Sequence, residues 1–354
     1  MIVLQIAKLH NRAIVQPGPC EAHADESKSM TPIRSAFHVT ALVAALAFGV
    51  LAAAPVASYA AAPMVKTQAP GYFRVMLGDF ELTALSDGTV DLPADKLLHE
   101  PPAKTTAALK KAYIGVPTET SVNAYLVNTG SKLVLIDAGA GALFGPTLGK
   151  LTASLQAAGY KPEQVDDIFI THMHPDHVGG LVANGAIVFP NATIHADKRD
   201  SEFWLSQANL DKAPADSKGF FQGAMASLNP YVAAGKFQPF DGSAEIVPGV
   251  KAVSSYGHTA GHTSYVVESK GQQLVVVGDL IHVGAVQFDD PAVTISFDMD
   301  AKGAAASRAK VFGEAAKDGA LVGAAHISFP GLGHLRAQGK SWQWIPVNYT
   351  TELK

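Results

Sequence analysis

The stretch Thr171-His172-Met173-His174-Pro175-Asp176-His177 carries the strongest signal of fold and chemistry, because four side chains that can bind a metal fall within six residues. It follows directly on an apolar stretch, residues 167–171, which predicts a short buried strand. Pro175 ends that strand, so the chain turns there. The histidine and aspartate side chains can then converge on one point instead of lying along one extended face. A polar loop with incidental histidines is the alternative. Of 13 histidines, three precede residue 60, and three of the other ten lie in this stretch, which favours a metal-binding motif.

Further potential ligands stand where other predicted strands meet loops. His258 and His262 lie in the sequence GHTAGH (residues 257–262), and Asp279 and His326 each end an apolar run. Side chains at such junctions are held by a rigid scaffold. Each alone is more often structural than functional. Together with the first motif they provide six histidines and two aspartates, enough for two metals with an open coordination position.

Composition excludes several classes of protein. The chain has 354 residues, of which 48% are hydrophobic and 16% charged, as in a globular protein with a sizeable core. A net charge of -4 without a Lys/Arg run argues against nucleic-acid binding. The single cysteine, Cys20, cannot form an internal disulfide or a thiolate-rich metal site. Any metal must therefore be bound by histidine and carboxylate.

The first 60 residues are predicted to lie outside the folded domain. Residues 41–54 form an apolar run that follows Lys28 and Arg34 and precedes the sequence Ser58-Tyr59-Ala60. The run is shorter than the ~20 residues of a membrane span and is typical of a secretory signal peptide. We expect residues 1–60 to be removed and residues 61–354 to form one periplasmic or secreted domain with no membrane association. A retained membrane anchor is the alternative.

Strands and helices alternate after residue 60 without a domain boundary, which favours one layered α/β domain. Among the predicted elements are a strand over 80–85 closed by a turn at Asp87-Gly88, a hairpin of 123–128 with 132–136, a helix over 146–158, a loop over 211–223 and a helix over 301–316.

Taken in order, these motifs resemble the metallo-β-lactamase superfamily: H-x-H-x-D-H at residues 172–177, G-H-T-x-G-H at 257–262, then Asp279 and His326. The resemblance implies an αββα sandwich of two mixed sheets flanked by helices, and two divalent metal ions, with Zn²⁺ as the default for such ligands. It assigns His172, His174 and His258 to one metal, Asp176, His177 and His326 to the other, and Asp279 to both. It makes His262 and Asp137 supporting residues rather than ligands.

Longer segments are similar to the methyl parathion hydrolase family, and most like its dihydrocoumarin hydrolase (lactonase) members: GDFELTALSDGTV (78–90), LVNTGSKLVLIDAGA (126–140) and FPGLGH (329–334). The resemblance implies a substrate pocket formed by Leu92, Leu97, Phe144, Trp204, Phe220, His282, Ile295 and Phe297. The alternative for the aromatic members of this set is an ordinary place in the core.

Five departures separate the chain from the organophosphate-hydrolysing members of that family. Leu97 replaces an arginine, the loop before Phe220 is one residue shorter, and His282, Ile295 and Phe297 replace Leu, Thr and Leu. The shorter loop and Phe297 should narrow the pocket so that it suits a flat ring better than a tetrahedral phosphate. A polar His282 can orient an ester carbonyl, whereas leucine cannot.

The expected function is therefore that of a dinuclear metal-dependent hydrolase that opens aromatic lactones or esters such as dihydrocoumarin. A metal-bound hydroxide attacks the carbonyl, Asp279 carries the proton and His282 positions the substrate. Weak hydrolysis of organophosphate triesters is expected as a side activity. The alternatives are an organophosphate hydrolase and a non-enzymatic periplasmic metal-binding protein. The resemblance also implies a homodimer.

Overall fold

The computed structural model describes residues 62–353. The predicted signal peptide in residues 1–60 lies outside the described residues. Residues 68–353 belong to one compact unit. No helix within residues 62–353 is both long and apolar enough to cross a membrane.

Seven strands form the first sheet. Their spatial order is β1 (Tyr72–Leu77), β2 (Phe80–Leu92), β3 (Thr118–Asn128), β4 (Leu133–Ile136), β5 (Asp167–Phe169), β8 (Thr193–Asp197) and β9 (Phe237–Phe240). Strands β1 to β4 pair antiparallel, and β4, β5, β8 and β9 pair parallel, so the sheet is mixed.

The second sheet also has seven strands, again in spatial order: β10 (Ala244–Val247), β11 (Val250–Ser254), β12 (Thr263–Ser269), β13 (Gln272–Val276), β14 (Leu321–Gly323), β15 (Leu332–Gln338) and β16 (Ser341–Pro346). Only β13 and β14 pair parallel in this sheet. A separate two-stranded ribbon joins β6 (Val182–Ala183) and β7 (Ala186–Ile187).

Helices cover the outer faces. The α-helices of the described chain are α1 (Ala94–Leu97), α2 (Pro102–Lys111), α3 (Leu151–Ala157), α4 (Pro175–Val178), α5 (Lys198–Trp204), α6 (Gln207–Lys212), α7 (Lys218–Ala233), α8 (Gly284–Gln287) and α9 (Ala301–Asp318). Short 3-10 turns lie at Pro162–Gln164, Gly179–Leu181 and Gly278–Leu280.

Strand alternation places apolar side chains on both faces of each sheet. In β2, Leu82 and Ala84 pack in the core between the two sheets, whereas Leu85 packs in the cluster that also holds buried residues of α3 and α7. In β13, Val276 faces the core between the sheets and Val275 joins the cluster with α9. The layers therefore run helix, sheet, sheet, helix, which confirms the predicted αββα fold.

The predicted turn at Asp87-Gly88 is wrong. Strand β2 continues to Leu92 through a bulge between Ser86 and Gly88. The buried Asp87 carboxylate accepts hydrogen bonds from the backbone N–H groups of Ala140, Gly149 and Leu151. Those three bonds satisfy the carboxylate in the interior, so a residue pair that is typical of an exposed turn is held inside the sheet.

The predicted loop over 211–223 is also wrong, because α6 and α7 occupy most of it. In α7, Phe221, Ala224, Leu228 and Tyr231 recur at helical spacing and are buried in the cluster beneath the first sheet. Pro214 and Gly219 precede these buried residues, and their presence led to the prediction of a loop.

Candidate metal centre

The predicted ligands follow the ends of strands at one edge of the sandwich. His172 comes shortly after β5, Asp279 after β13 and His326 after β14. The parallel strands β4 and β5 end at the same edge of the first sheet, and β13 and β14 end at the same edge of the second. The side chains that follow these strands come together in one place. The loop that carries His258 joins β11 to β12 and reaches the same place.

Seven side chains form two groups that share Asp279. Within each group the potential ligand atoms all lie within 4.8 Å of one another. The first group is His172, His174, His258 and Asp279, and the second is Asp176, His177, Asp279 and His326. Every member is buried except Asp176, which is partly exposed. All seven ligands predicted from the sequence are thus brought together.

The contacts around Asp279 fit two divalent cations. Its Oδ1 lies 3.1 Å from Nε2 of His177 and 3.1 Å from Nε2 of His326. Its Oδ2 lies 3.3 Å from Nε2 of His258. This Oδ1 and Nε2 of His177 are buried and make no hydrogen bond within the described chain. Unpartnered polar atoms are costly inside a protein, and imidazole nitrogens with carboxylate oxygens suit zinc.

The second group is held by polar partners behind it. Nδ1 of His177 lies 2.8 Å from Oδ2 of Asp137, which also accepts a 2.8 Å hydrogen bond from the Thr171 hydroxyl. Nδ1 of His326 lies 2.9 Å from the carbonyl oxygen of Ser121. These contacts fix both rings and leave Nε2 of each free to bind a metal.

The first group has its own supports. Nδ1 of His258 lies 2.8 Å from Oδ1 of Asp298. His262 belongs to neither group, and its Nε2 accepts a 3.1 Å hydrogen bond from the backbone N–H of Asp279. Burial lowers the pKa of His262 to about 3, which keeps that nitrogen unprotonated and able to accept. The structure therefore places His262 behind a ligand.

Charge is balanced within the cluster. Burial and neighbouring imidazoles lower the pKa of His174 well below its ordinary value, so this ring is neutral. Burial also opposes charge on His258, but the carboxylates of Asp279 and Asp298 outweigh it and raise the His258 pKa to about 9. Burial would raise the pKa of Asp279, but the surrounding histidines, led by His177, hold it well below its usual range. Asp279 is therefore ionised, the form that binds metals.

A cavity opens beside both groups. Five of the residues predicted for the pocket line it: Leu92, Phe144, Phe220, His282 and Phe297. Nε2 of His282 lies 3.1 Å from Oδ2 of Asp279, and its buried Nδ1 has no hydrogen-bond partner among residues 62–353. The ring of Phe220 packs 4.9 Å from the ring of His174. The cavity thus joins an apolar wall to the polar floor of the metal centre.

The other three predicted pocket residues do not line the cavity. Leu97 and Ile295 are completely buried in an apolar cluster behind Leu92. Trp204 is also buried, with its ring 5.3 Å from that of His174 and 4.7 Å from that of Phe221. Large apolar side chains gain most by leaving the surface entirely, and these three support the wall from behind.

Two buried side chains hold the loop that carries His282, and neither was found from the sequence. Oε1 of Gln287 accepts hydrogen bonds from the N–H groups of His282 and Val283, at 2.8 and 3.0 Å. The guanidinium of Arg308 donates to carbonyl oxygens at both ends of the same loop, those of Leu280, Pro291 and Val293. The partners of Arg308 lie 15 or more residues away, so no local motif marks it.

The αββα fold and the paired ligand groups together define a metal-dependent hydrolase. Residues 117–326 match the model of the metallo-beta-lactamase superfamily. This chain belongs to that superfamily.

Solved structures agree over most of the chain. The hydrolase AbOPH of the beta-lactamase superfamily is 38% identical with a TM-score of 0.76, and the match covers 80% of this chain and 100% of that one. AidC, a dizinc quorum-quenching lactonase in complex with a product, is 29% identical with a TM-score of 0.73, over 79% of this chain and 99% of that one. These likenesses support two divalent metals, with zinc as the metal of the second relative.

Curated relatives match over a shorter span. An N-acyl homoserine lactonase of Bacillus cereus is 27% identical over 151 residues, which cover 43% of this chain and 52% of the relative. A second N-acyl homoserine lactonase, from Bacillus thuringiensis, is 27% identical over 144 residues, or 41% of this chain and 49% of the relative. The chain thus spans about half the length of the curated relatives that it matches.

Proposed function

We propose that the chain is a dinuclear metal-dependent lactonase that opens aromatic lactones of the dihydrocoumarin type and hydrolyses phosphotriesters more slowly. One observation carries the proposal: the cavity next to Asp279 is lined by Phe144, Phe220 and Phe297. Aromatic walls favour a flat aromatic substrate because rings pack edge to face or offset at low cost. The carboxylate and histidines at the floor of the cavity provide the polar end.

The seven grouped side chains are the proposed ligands. His172, His174 and His258 hold one ion, Asp176, His177 and His326 hold the other, and Asp279 serves both. When bound, two divalent ions supply Lewis acidity and lower the pKa of water to about 7.

The protein's own residues bind the substrate and move the proton. His282 lines the cavity beside Asp279, and we propose that its Nε2–H, which lies 3.1 Å from Oδ2 of Asp279, also donates a hydrogen bond to the lactone carbonyl. In the reaction, the oxygen of water bonds to the carbonyl carbon and the ring C–O bond breaks. Oδ2 of Asp279 takes the proton from water and passes it to the phenolate oxygen of the opened ring. An aryl lactone releases a phenolate, a good leaving group that needs little help from an acid.

N-acyl homoserine lactones are the second candidate substrates, and the comparisons favour them specifically. Two curated relatives carry that activity in their names, and AidC is a quorum-quenching lactonase. The same carbonyl chemistry applies to both classes of lactone. The two classes of lactone differ in the group that packs against the phenylalanine wall. This group is an acyl-amide chain in a homoserine lactone and a fused aromatic ring in dihydrocoumarin.

The test is hydrolysis of dihydrocoumarin and of N-hexanoyl homoserine lactone by the same zinc-loaded preparation, before and after dialysis against a chelator. We expect both reactions to need the metal and kcat/KM to be higher for dihydrocoumarin. A higher value for the homoserine lactone would favour the second candidate. Bound metal without hydrolysis of either lactone would favour a metal-binding protein.

Export of the protein and its dimerisation are further predictions, and each can be tested separately. The mass of the exported protein gives the cleavage site, for which we expect removal of residues 1–60. Light scattering after gel filtration gives the oligomeric state, for which we expect a homodimer.

A further inference from the structure

A buried carboxylate outside both ligand groups connects the two loops of the first group. Asp200 lies in α5 and exposes only 1% of its surface. Its Oδ2 accepts hydrogen bonds from the backbone N–H of Met173 and from the hydroxyl of Thr259, both at 3.0 Å. Its Oδ1 accepts a 2.6 Å hydrogen bond from the backbone N–H of Gly261.

The positions of these donors show what the carboxylate joins. Met173 lies between His172 and His174, the two ligands that follow β5. Thr259 and Gly261 lie in the loop that carries His258. One side chain therefore connects two segments that are far apart in sequence, and these two segments supply every histidine of the first group.

The second group has no such connection. Its rings are held by Asp137 and by the carbonyl oxygen of Ser121. No hydrogen bond of the described chain joins Asp200 to Asp176, His177 or His326. Loss of the Asp200 contacts should therefore affect the two halves of the centre unequally.

The hydrogen-bond pattern requires a carboxylate in particular. Both oxygens of Asp200 receive donors, and a backbone N–H is among the donors to each of them. An asparagine has one oxygen and one NH₂ group. In either orientation its NH₂ group would face a backbone N–H, so at least one loop would lose its bond.

We propose that Asp200 is a positioning residue that holds the His172–His174 loop against the His258 loop and so sets the affinity of the three-histidine metal site. The proposal rests on the proposed function, in which those histidines bind a metal. Partners behind metal ligands typically change metal affinity by 10–100-fold when they are removed. Asp200 acts on three ligands at once through neighbouring residues of their loops.

The experiment compares the full chain with its Asp200→Asn variant by zinc competition against a chromophoric chelator. We expect the wild type to bind two zinc ions, and the variant to bind one normally and the other about 10–100-fold more weakly. Lactone hydrolysis by the variant should recover as free zinc is raised, which a general loss of structure would not allow.

Asp197→Asn is the matched control. Asp197 is equally buried at the start of the same helix, but it accepts from the N–H groups of Arg199 and Gly242 and from the hydroxyl of Tyr256, and from no residue of the His172–His174 loop. The variant removes the same charge from the same helix without breaking a bond between the two ligand loops, so both zinc affinities should stay unchanged. Thr259→Val removes one hydrogen bond to Asp200 and no charge, so it should weaken zinc binding at the same single site by a smaller factor. If Asp200→Asn does not fold, Thr259→Val tests the role of Asp200 instead.

The outcomes separate the two proposals. Wild type that binds two zinc ions and opens lactones, with Asp200→Asn and Thr259→Val unchanged in both affinities, would contradict the role of Asp200 alone. Equal weakening of both sites in these variants would also contradict it. A wild type that binds no zinc would contradict the proposed function itself, and the role of Asp200 with it.

Discussion

The metal centre and the cavity wall lie side by side but are built in different ways. Each ligand of the centre follows a strand end or an adjoining loop, and polar contacts such as Asp137 with His177 and Asp298 with His258 fix the rings. The wall consists of apolar side chains from the end of β2, from α7 and from loops, and these side chains are held by packing rather than by hydrogen bonds. The centre should therefore tolerate almost no change, whereas the wall should tune the choice of substrate.

The largest effect is expected from removing a ligand. His258→Ala and Asp279→Ala should each lower kcat/KM by a factor on the order of 10³ or more, because each change removes a donor on which the shared site depends. Kinetics and metal analysis of the purified variants check this. The control is His334→Ala, which alters an exposed histidine outside both groups. Full activity in either ligand variant would refute the assignment.

Metal removal should destabilise the protein as well as inactivate it. The buried donors of the centre, such as Nε2 of His172, lose their partner without a metal. Zinc at 100 times its dissociation constant should add about 2.7 kcal/mol per site to the free energy of unfolding. Thermal melts with and without zinc measure the change. Asp279→Ala should show a much smaller rise in Tm, and an equal rise would place the zinc elsewhere.

At the border between the two regions, His282→Leu should change selectivity without removing metal. Leucine cannot hydrogen-bond the lactone carbonyl, so the ratio of lactone to phosphotriester hydrolysis should fall about tenfold, equivalent to ~1.4 kcal/mol. Parallel kcat/KM measurements on dihydrocoumarin and methyl parathion test this, with zinc content as the control. An unchanged ratio would mean that His282 does not contact the substrate.

The wall itself should give the smallest effects. Phe297→Leu should raise KM for an aryl lactone by about 2–10-fold, the size of an aromatic contact, with kcat nearly unchanged. Ile295→Val, behind the wall, should leave the kinetics within about twofold and cost about 1 kcal/mol of stability. Steady-state kinetics and urea unfolding distinguish the two variants. Equal kinetic effects would contradict the placement of Ile295 behind the wall.

The same contrast explains what could be predicted from the sequence. The seven potential metal ligands cluster in short motifs at strand ends, so their grouping could be predicted, with the αββα fold that brings them together. The pocket was inferred by resemblance, and Leu97, Trp204 and Ile295 proved to pack behind it. An apolar residue looks the same in sequence whether it lines a cavity or fills the core.

The supporting residues were missed for a different reason. Asp200 and Arg308 act on backbone atoms of segments that are distant in sequence. No spacing rule connects a residue to such partners, since the connection exists only in the folded chain. For Arg308, the sequence signal is a charged residue among the apolar positions of one helix face, but this signal does not identify the partners.

We propose that two metals and an aromatic cavity make this protein a lactonase, with phosphotriester hydrolysis as a slower reaction. The most direct test measures kcat/KM for dihydrocoumarin and for methyl parathion on one zinc-loaded preparation. We predict a large excess for the lactone, with slow hydrolysis of the triester by the same centre. A large excess for the triester would contradict the claim, because it would show that the cavity does not set the substrate in the way proposed.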